Sequence, residues 1–372
     1  MAARLPPLPL PGGIRSRVVP GVNGLDVHVL EAGEASRPCL LLLHGFPELA
    51  WSWRKLMPLL AEKGYRVIAP DQRGYGRTTG WDGRYDGDLA SFRVTNLVRD
   101  AVQLLKNLRI ETVPAVVGHD FGSPVAAWCA LLHPEIFHSV ALMSAPFAGP
   151  PRTARLTPDP IHAALAALPR PRKHYHLYYS TRAADRDMRD CAQGLPAFLR
   201  AYYHAKSADW KANRPHELAA WNAPELAKMP TYYIMDLAED MAQTAAPYLP
   251  SAAQVAACRW LSEAELAVYS GEFARTGFQG GLQWYRCRTS GLYNDDLAVH
   301  AGRAIEVPAC FIAGKSDWGP YQRPGDLAKM QASAFARNRG CHFIEGAGHW
   351  VQQEQPAQTA SLLLEFLREA AT

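Results

Sequence analysis

The apolar positions fall into short unbroken runs separated by stretches with helical spacing. Cys39 to Leu43, Tyr65 to Ala69, Val113 to Val117 and Ser139 to Met143 are nearly continuous apolar segments of five residues each. Strands covered on both faces carry that pattern, because neither side alternates toward water. Arg15 to Val19 and Leu25 to Glu31 also read as strands. Between the buried runs, Leu97, Ala101, Leu104 and Leu105 recur at the spacing of one helix face. This alternation predicts an α/β fold, a mostly parallel sheet flanked by helices. From about Pro146 the apolar runs vanish and Pro, Tyr, Ala and charge dominate, which predicts a mostly helical insertion. The alternation resumes with strands at Ala309 to Ala313 and Cys341 to Ile344, then a helix marked by Leu363, Phe366 and Leu367. The expected organisation is a core in two parts, 1–146 and 296–372, with a helical lid at 147–295.

Composition narrows the class. At 372 residues the chain exceeds the size at which one core stops growing, so a domain with an insertion is expected. With 48% hydrophobic and 20% charged residues it reads as an ordinary globular enzyme. The net charge of +4 is small, and the densest basic cluster, Arg170, Arg172 and Lys173, is broken by Pro171. Nucleic acid is therefore not an expected partner. The seven cysteines are dispersed without metal-ligand spacing, and the 13 histidines form no metal pattern. A reducing, cytoplasmic setting is expected. The start MAARLPPLPLPGG has too many prolines for a signal-peptide helix, and no apolar run approaches about 20 residues, so no membrane span is expected.

The chemistry concentrates in VVGHDFGSPVAAWCALLHP. An apolar strand leads into a helix through Gly118-His119-Asp120-Phe121-Gly122. Small residues two before and two after a central residue are what a sharp strand-to-helix turn requires. Such an elbow lifts its central side chain above the sheet edge, and here that side chain is a carboxylate. A serine there would form an acyl-enzyme; a carboxylate attacks an electrophilic sp³ carbon and becomes an ester itself. The adjacent helix start favours the anion. The plainer role for Asp120 is a helix cap, which would need neither the flanking glycines nor further partners.

Three other strand ends complete a constellation, at the edge where ligands gather in such sheets. His44-Gly45-Phe46-Pro47-Glu48 aims the Phe46 N–H at the centre, and with the Phe121 N–H supplies two oxyanion donors. Gly314-Lys315-Ser316-Asp317 offers an acid. Gly346-Ala347-Gly348-His349-Trp350 offers a histidine that Asp317 would orient so that it deprotonates water. The order nucleophile, acid, histidine is that of α/β-hydrolases. Other motifs fail on spacing. Gly74-Tyr75-Gly76 lacks its third dinucleotide glycine, and Ala220 stands where a zinc motif starting at His216-Glu217 needs a second histidine. Asp71, at a strand end, reads as structural.

With HGFPE at 44–48, GHDFG at 118–122, GKSD at 314–317 and GAGHW at 346–350, the chain resembles the soluble epoxide hydrolase family. Tyr269, Phe273, Thr276, Gly277 and Phe278, followed by Leu282-Gln283-Trp284-Tyr285-Arg286, resemble that family's lid signature. The resemblance implies two catalytic lid tyrosines, matched here to Tyr269 and to Tyr175 in KHYHLYYS, with Tyr178 the alternative to Tyr175. It implies an α/β-hydrolase fold, an epoxide and water as reactants, and no metal or organic cofactor. In the implied reaction Asp120 opens the ring while the phenols protonate its oxygen. Water activated by His349 and Asp317 then releases a vicinal diol, with the Phe46 and Phe121 amides on the oxyanion. A haloalkane or haloacid dehalogenase is the nearest alternative. Phe121 and Phe46, however, stand where haloalkane relatives carry halide-binding residues, and Phe121 and Pro124 where fluoroacetate relatives carry arginines. A non-enzymatic ligand-binding protein on the same scaffold is a further alternative, and Asp120 disfavours a serine esterase.

Overall fold

The short apolar runs are strands, and their odd and even residues feed two separate cores. In the computed structural model, which describes residues 5–152 and 159–372, the strands in chain order are β1 (Ile14–Val22), β2 (Leu25–Ala32), β3 (Cys39–Leu43), β4 (Arg66–Pro70), β5 (Ala115–His119), β6 (Val140–Met143), β7 (Arg172–His174), β8 (Ile234–Asp236), β9 (Ile305–Gly314) and β10 (Phe335–Ile344). Eight form one sheet in the order β1-β2-β4-β3-β5-β6-β9-β10, antiparallel at β1-β2 and β2-β4 and parallel from β4 onward. Every residue of β3, β4, β5 and β6 is buried. Leu41 and Leu43 join one core, with Leu97, Val98, Ala101, Leu104 and Leu105 of the helix Val94–Asn107. Leu40 and Leu42 join the other, with Leu363, Phe366 and Leu367 of the C-terminal helix Pro356–Ala370. A period of two along each strand thus builds a sheet with helices on both faces.

Two boundaries depart from the apolar runs for identifiable reasons. The run Val113 to Val117 becomes β5 only from Ala115, because Pro114 has no N–H to pair; Val113 keeps an isolated bridge to Phe137. β10 starts at Phe335, six residues earlier than the apolar segment suggested, since as the last strand of the order it pairs only with β9 and tolerates polar residues.

Between β6 and β9 lies the insertion. Among the described residues its regular elements are helices apart from the β7-β8 antiparallel ribbon, and the longest are Leu195–Lys206, Glu263–Thr276 and Gln279–Ser290. Residues 153–158 of the expected lid and 1–4 of the proline-rich start lie outside the described residues. The Gly74-Tyr75-Gly76 loop seats the insertion on the core. A Cβ on Gly280 would stand 2.1 Å from the Gly74 carbonyl oxygen, so a glycine pair is needed for the helix Gln279–Ser290 to press on this loop. Trp284 Nε1 donates to the Arg73 carbonyl at 3.0 Å, and Arg77 pairs with Glu272 at 2.7 Å. Asp71 organises the same loop, accepting from the Ala50 and Arg77 amides and facing His28 at 2.7 Å. Burial alone would raise its pKa; the His28 charge and these hydrogen bonds outweigh burial and hold it at about 2. Among the described residues no helix is long and apolar enough to cross a membrane.

Candidate active site

The elbow forms because three positions admit only hydrogen. β5 ends at His119, the helix Gly122–Leu132 begins three residues on, and Asp120 between them adopts a left-handed φ of 50°. A Cβ on Gly118 would lie 2.1 Å from the Gly122 carbonyl oxygen, and one on Gly122 would lie 2.2 Å from the Leu43 carbonyl oxygen. A Cβ on Gly45 would lie 2.3 Å from Asp120 Cβ. Backbone bonds close the turn, from Asp120 N to Met143 O and from Ser123 N to Asp120 O. The Asp120 carboxylate caps no helix amide. Its Oδ1 instead accepts the Phe46 N–H at 2.9 Å, across a loop whose Phe46–Pro47 bond is cis. The Phe121 amide makes no bond to the carboxylate.

His349 lies beside this carboxylate, with Nε2 3.3 Å from Asp120 Oδ2 and Nδ1 3.0 Å from Asp317 Oδ1. Asp317 Oδ1 also accepts the Gly319 N–H at 2.7 Å. The structure thus brings together Asp120, Asp317, His349 and the Phe46 amide. The Asp120 side chain is 10% exposed while those of His349 and Asp317 are 1% exposed, so the carboxylate is the member that faces open space. Burial would raise the Asp120 pKa, yet the hydrogen bond and charge of His349, with the charges of Lys206 and His119, hold it well below the usual range. Asp317 is lowered in the same way, with His349 outweighing burial. Both carboxylates are ionised at neutral pH.

Two residues of the HGFPE and GHDFG segments brace this arrangement and escaped the sequence reading. Glu48 is fully buried and faces His119 Nδ1 at 2.6 Å. His119 Nε2 donates to the His349 carbonyl at 2.7 Å. Both ring nitrogens of His119 therefore face oxygen acceptors, which an imidazolium satisfies. Burial opposes that charge, but Glu48 overcomes it and raises the His119 pKa. Their presence in the two motifs was the only signal in the sequence.

The lid tyrosines divide. Tyr175 is buried, its hydroxyl donating to Gln322 Oε1 at 2.8 Å. Burial and then the nearby Asp120 charge push its pKa well above 10, so it stays a neutral phenol. Tyr178 instead donates to Asp187 at 3.4 Å. Tyr269 departs from expectation. Its hydroxyl is 2.7 Å from Ser52 Oγ and 3.0 Å from Gln353 Oε1, in a buried polar knot with Arg54 and Glu48 rather than Asp120 as its charged neighbours. The signature's other phenol, Tyr285, packs between Tyr175 and the two oxyanion-loop phenylalanines. Its ring lies 4.6 Å from Phe121, 5.4 Å from Phe46 and 5.9 Å from Tyr175, and Asp120 is among the charges that, after burial, raise its pKa well above 10. Gly277, in a left-handed turn, breaks the lid signature into two helices, and only the second carries its tyrosine to the nucleophile side.

Among the described residues no group of three or more His, Cys, Asp or Glu side chains is placed to hold a metal ion, and His216 is exposed. The site therefore offers a desolvated carboxylate, a base with its acid, an amide donor and two phenols.

Known proteins share this architecture. The family model for the alpha/beta hydrolase fold matches residues 38–356. Epoxide hydrolase A of Mycobacterium tuberculosis is 35% identical over 350 residues, covering 93% of this chain and 95% of that protein. Epoxide hydrolase B of the same organism is 35% identical over 346 residues, covering 89% and 91%. The crystal structure of Epoxide Hydrolase A from Mycobacterium thermoresistibile superposes with a TM-score of 0.75 at 33% identity, covering 95% of this chain and 98% of that one. An epoxide hydrolase from an endophytic Streptomyces gives 0.75 at 30% identity, covering 96% of each. With its elbow built on Asp120 and these relatives matching along nearly the whole chain, the protein belongs to the epoxide hydrolase family of the α/β-hydrolase fold.

Proposed function

We propose that the chain hydrolyses an epoxide to a vicinal diol through a covalent ester on Asp120. The observation that carries this reading is an ionised carboxylate in a left-handed turn, bonded to the Phe46 amide and beside His349, with a charge that reaches the neutral phenols of Tyr175 and Tyr285. Asp120 Oδ2 attacks a ring carbon, the C–O bond breaks, and the departing alkoxide takes a proton from Tyr175 or Tyr285. Asp120 Oδ1, held by Phe46, remains as the ester carbonyl. His349, oriented by Asp317, removes a proton from water, which attacks that carbonyl. The Phe46 amide, with the Phe121 amide as second donor, stabilises the oxyanion; on its collapse the leaving oxygen takes the proton held by His349, and the remaining proton returns to the phenolate, freeing the diol and the carboxylate. A phenol near or above pKa 10 suits this task, since it is protonated at neutral pH and matches a basic leaving oxygen. A departing halide is too weak a base to take a proton from either phenol, which disfavours the dehalogenase alternative. Seven free cysteines support a reducing, cytoplasmic setting.

A single turnover in heavy-oxygen water tests the covalent route. The first diol released is expected to carry oxygen from Asp120, and solvent label in that first diol refutes it. The tyrosines are separable. Tyr285→Phe is expected to slow ester formation by about 10²- to 10⁴-fold, measured by rapid quench. Tyr269→Phe, which loses only the Ser52 and Gln353 contacts, is expected to cost about 1 kcal/mol of stability and leave ester formation near its original rate. The reverse pattern would return the role to Tyr269.

A further inference from the structure

Six lysine and arginine residues are buried among the described residues: Arg54, Arg66, Arg73, Arg172, Arg200 and Lys206. The five arginines all pair with carboxylates, to Glu265, Glu31, Asp100, Asp236 and Glu263 respectively. Lys206 does not. At 3% exposure it has no carboxylate within 4.0 Å, and among the described residues no hydrogen bond leaves its Nζ. It ends the helix Leu195–Lys206, and its ammonium stands over three aromatic rings, 5.3 Å from Tyr202, 5.0 Å from Tyr233 and 5.4 Å from Trp350.

This cage adjoins the reaction centre on two sides. Trp350 meets His349 edge-on at 4.7 Å, and Tyr233 meets Tyr175 at 5.3 Å. The Lys206 carbonyl accepts the His349 N–H at 2.8 Å, so the residue is fixed to the histidine loop. The Lys206 charge reaches Asp120 and contributes to its lowered pKa. Aromatic faces attract a cation, but they accept none of the three directional hydrogen bonds an ammonium offers. The ammonium is nearly but not fully closed off from solvent, which leaves an opening through which an arriving anion can supply the acceptor that the protein does not.

We propose that Lys206 is the substrate's anion-binding residue, and that the preferred substrate is an epoxide bearing a carboxylate a few bonds from the ring. The proposal rests on the epoxide hydrolase reading and deepens it. Such a substrate would otherwise be repelled by Asp120 and Asp317, both ionised. Lys206 offsets that repulsion and draws the carboxylate to one wall, which fixes the ring over Asp120. Arg288, exposed on the lid, has no carboxylate partner among the described residues and adds positive charge beside Tyr175. A positive lid wall steers anions inward.

The test compares kcat/KM for epoxy acids, with the carboxylate one to four carbons from the ring, against the matching primary amides. For at least one spacing the acid is expected to be preferred by ~10-fold or more, the scale of a hydrogen bond between charged partners. In Lys206→Met the ratio should fall to near 1, and in Lys206→Arg it should persist. The ratio is read within each protein, so a general loss of activity cancels. Equal rates for acid and amide in the unaltered enzyme overturn the proposal without any variant, as does a preference that survives Lys206→Met. A plain aryl epoxide serves as control. Turnover of the control without acid preference sinks only the role of Lys206, whereas failure to open any epoxide sinks the underlying reading.

Discussion

In a His349→Gln protein, the first chemical step is expected to proceed and the second to stall. Asp120 is ionised through the surrounding charges and hydrogen bonds, and its attack on the ring needs no base. Release of the ester does need one, because neutral water is a poor nucleophile toward an ester carbonyl. Steady-state turnover should fall by about 10³-fold or more, while intact-mass spectrometry after mixing shows the protein heavier by one substrate molecule. Glutamine retains a donor and an acceptor near the Asp317 and Asp120 sides, which limits collapse of the cavity. Full turnover, or a loss of turnover with no adduct, would contradict this order of events.

Asp120→Asn is expected to remove both steps. Asparagine tolerates the left-handed conformation at this position about as well as aspartate, so the elbow should persist. The amide is too weak a nucleophile to open the ring, and turnover should drop ~10⁴-fold or further, with no adduct. Adding His349→Gln to Asp120→Asn should change little more, since groups acting on one intermediate are not additive. Adduct in His349→Gln and none in the double variant would identify Asp120 as the residue that carries it.

What the sequence disclosed follows from how local each constraint is. Gly118 and Gly122 are legible because the clash they avoid lies within a few residues and across one neighbouring strand. Cys39–Leu43 is legible because burial on both faces leaves no alternation to misread. Tyr269 and Tyr285 sit in one signature, and the sequence alone does not separate them, because their surroundings differ only through the turn at Gly277 that splits the signature into two helices. Lys206 gave no signal at all. A lysine in the last turn of a helix ordinarily lies in solvent and favours the helix dipole. It is buried here because Tyr233 and Trp350 arrive from separate segments of the chain to join Tyr202, one turn back on its own helix.

The turn itself is written in hydrogen atoms at Gly118 and Gly122 and in backbone bonds, none of which involves the side chain it displays. The scaffold is therefore largely indifferent to which reactive group occupies position 120, while its surroundings are not. A serine raised on the same pedestal would find its histidine and acid, yet it would not open a strained ring at an sp³ carbon, the reaction the phenols above are set to assist. In this protein the pedestal is general-purpose, and the ceiling makes it selective.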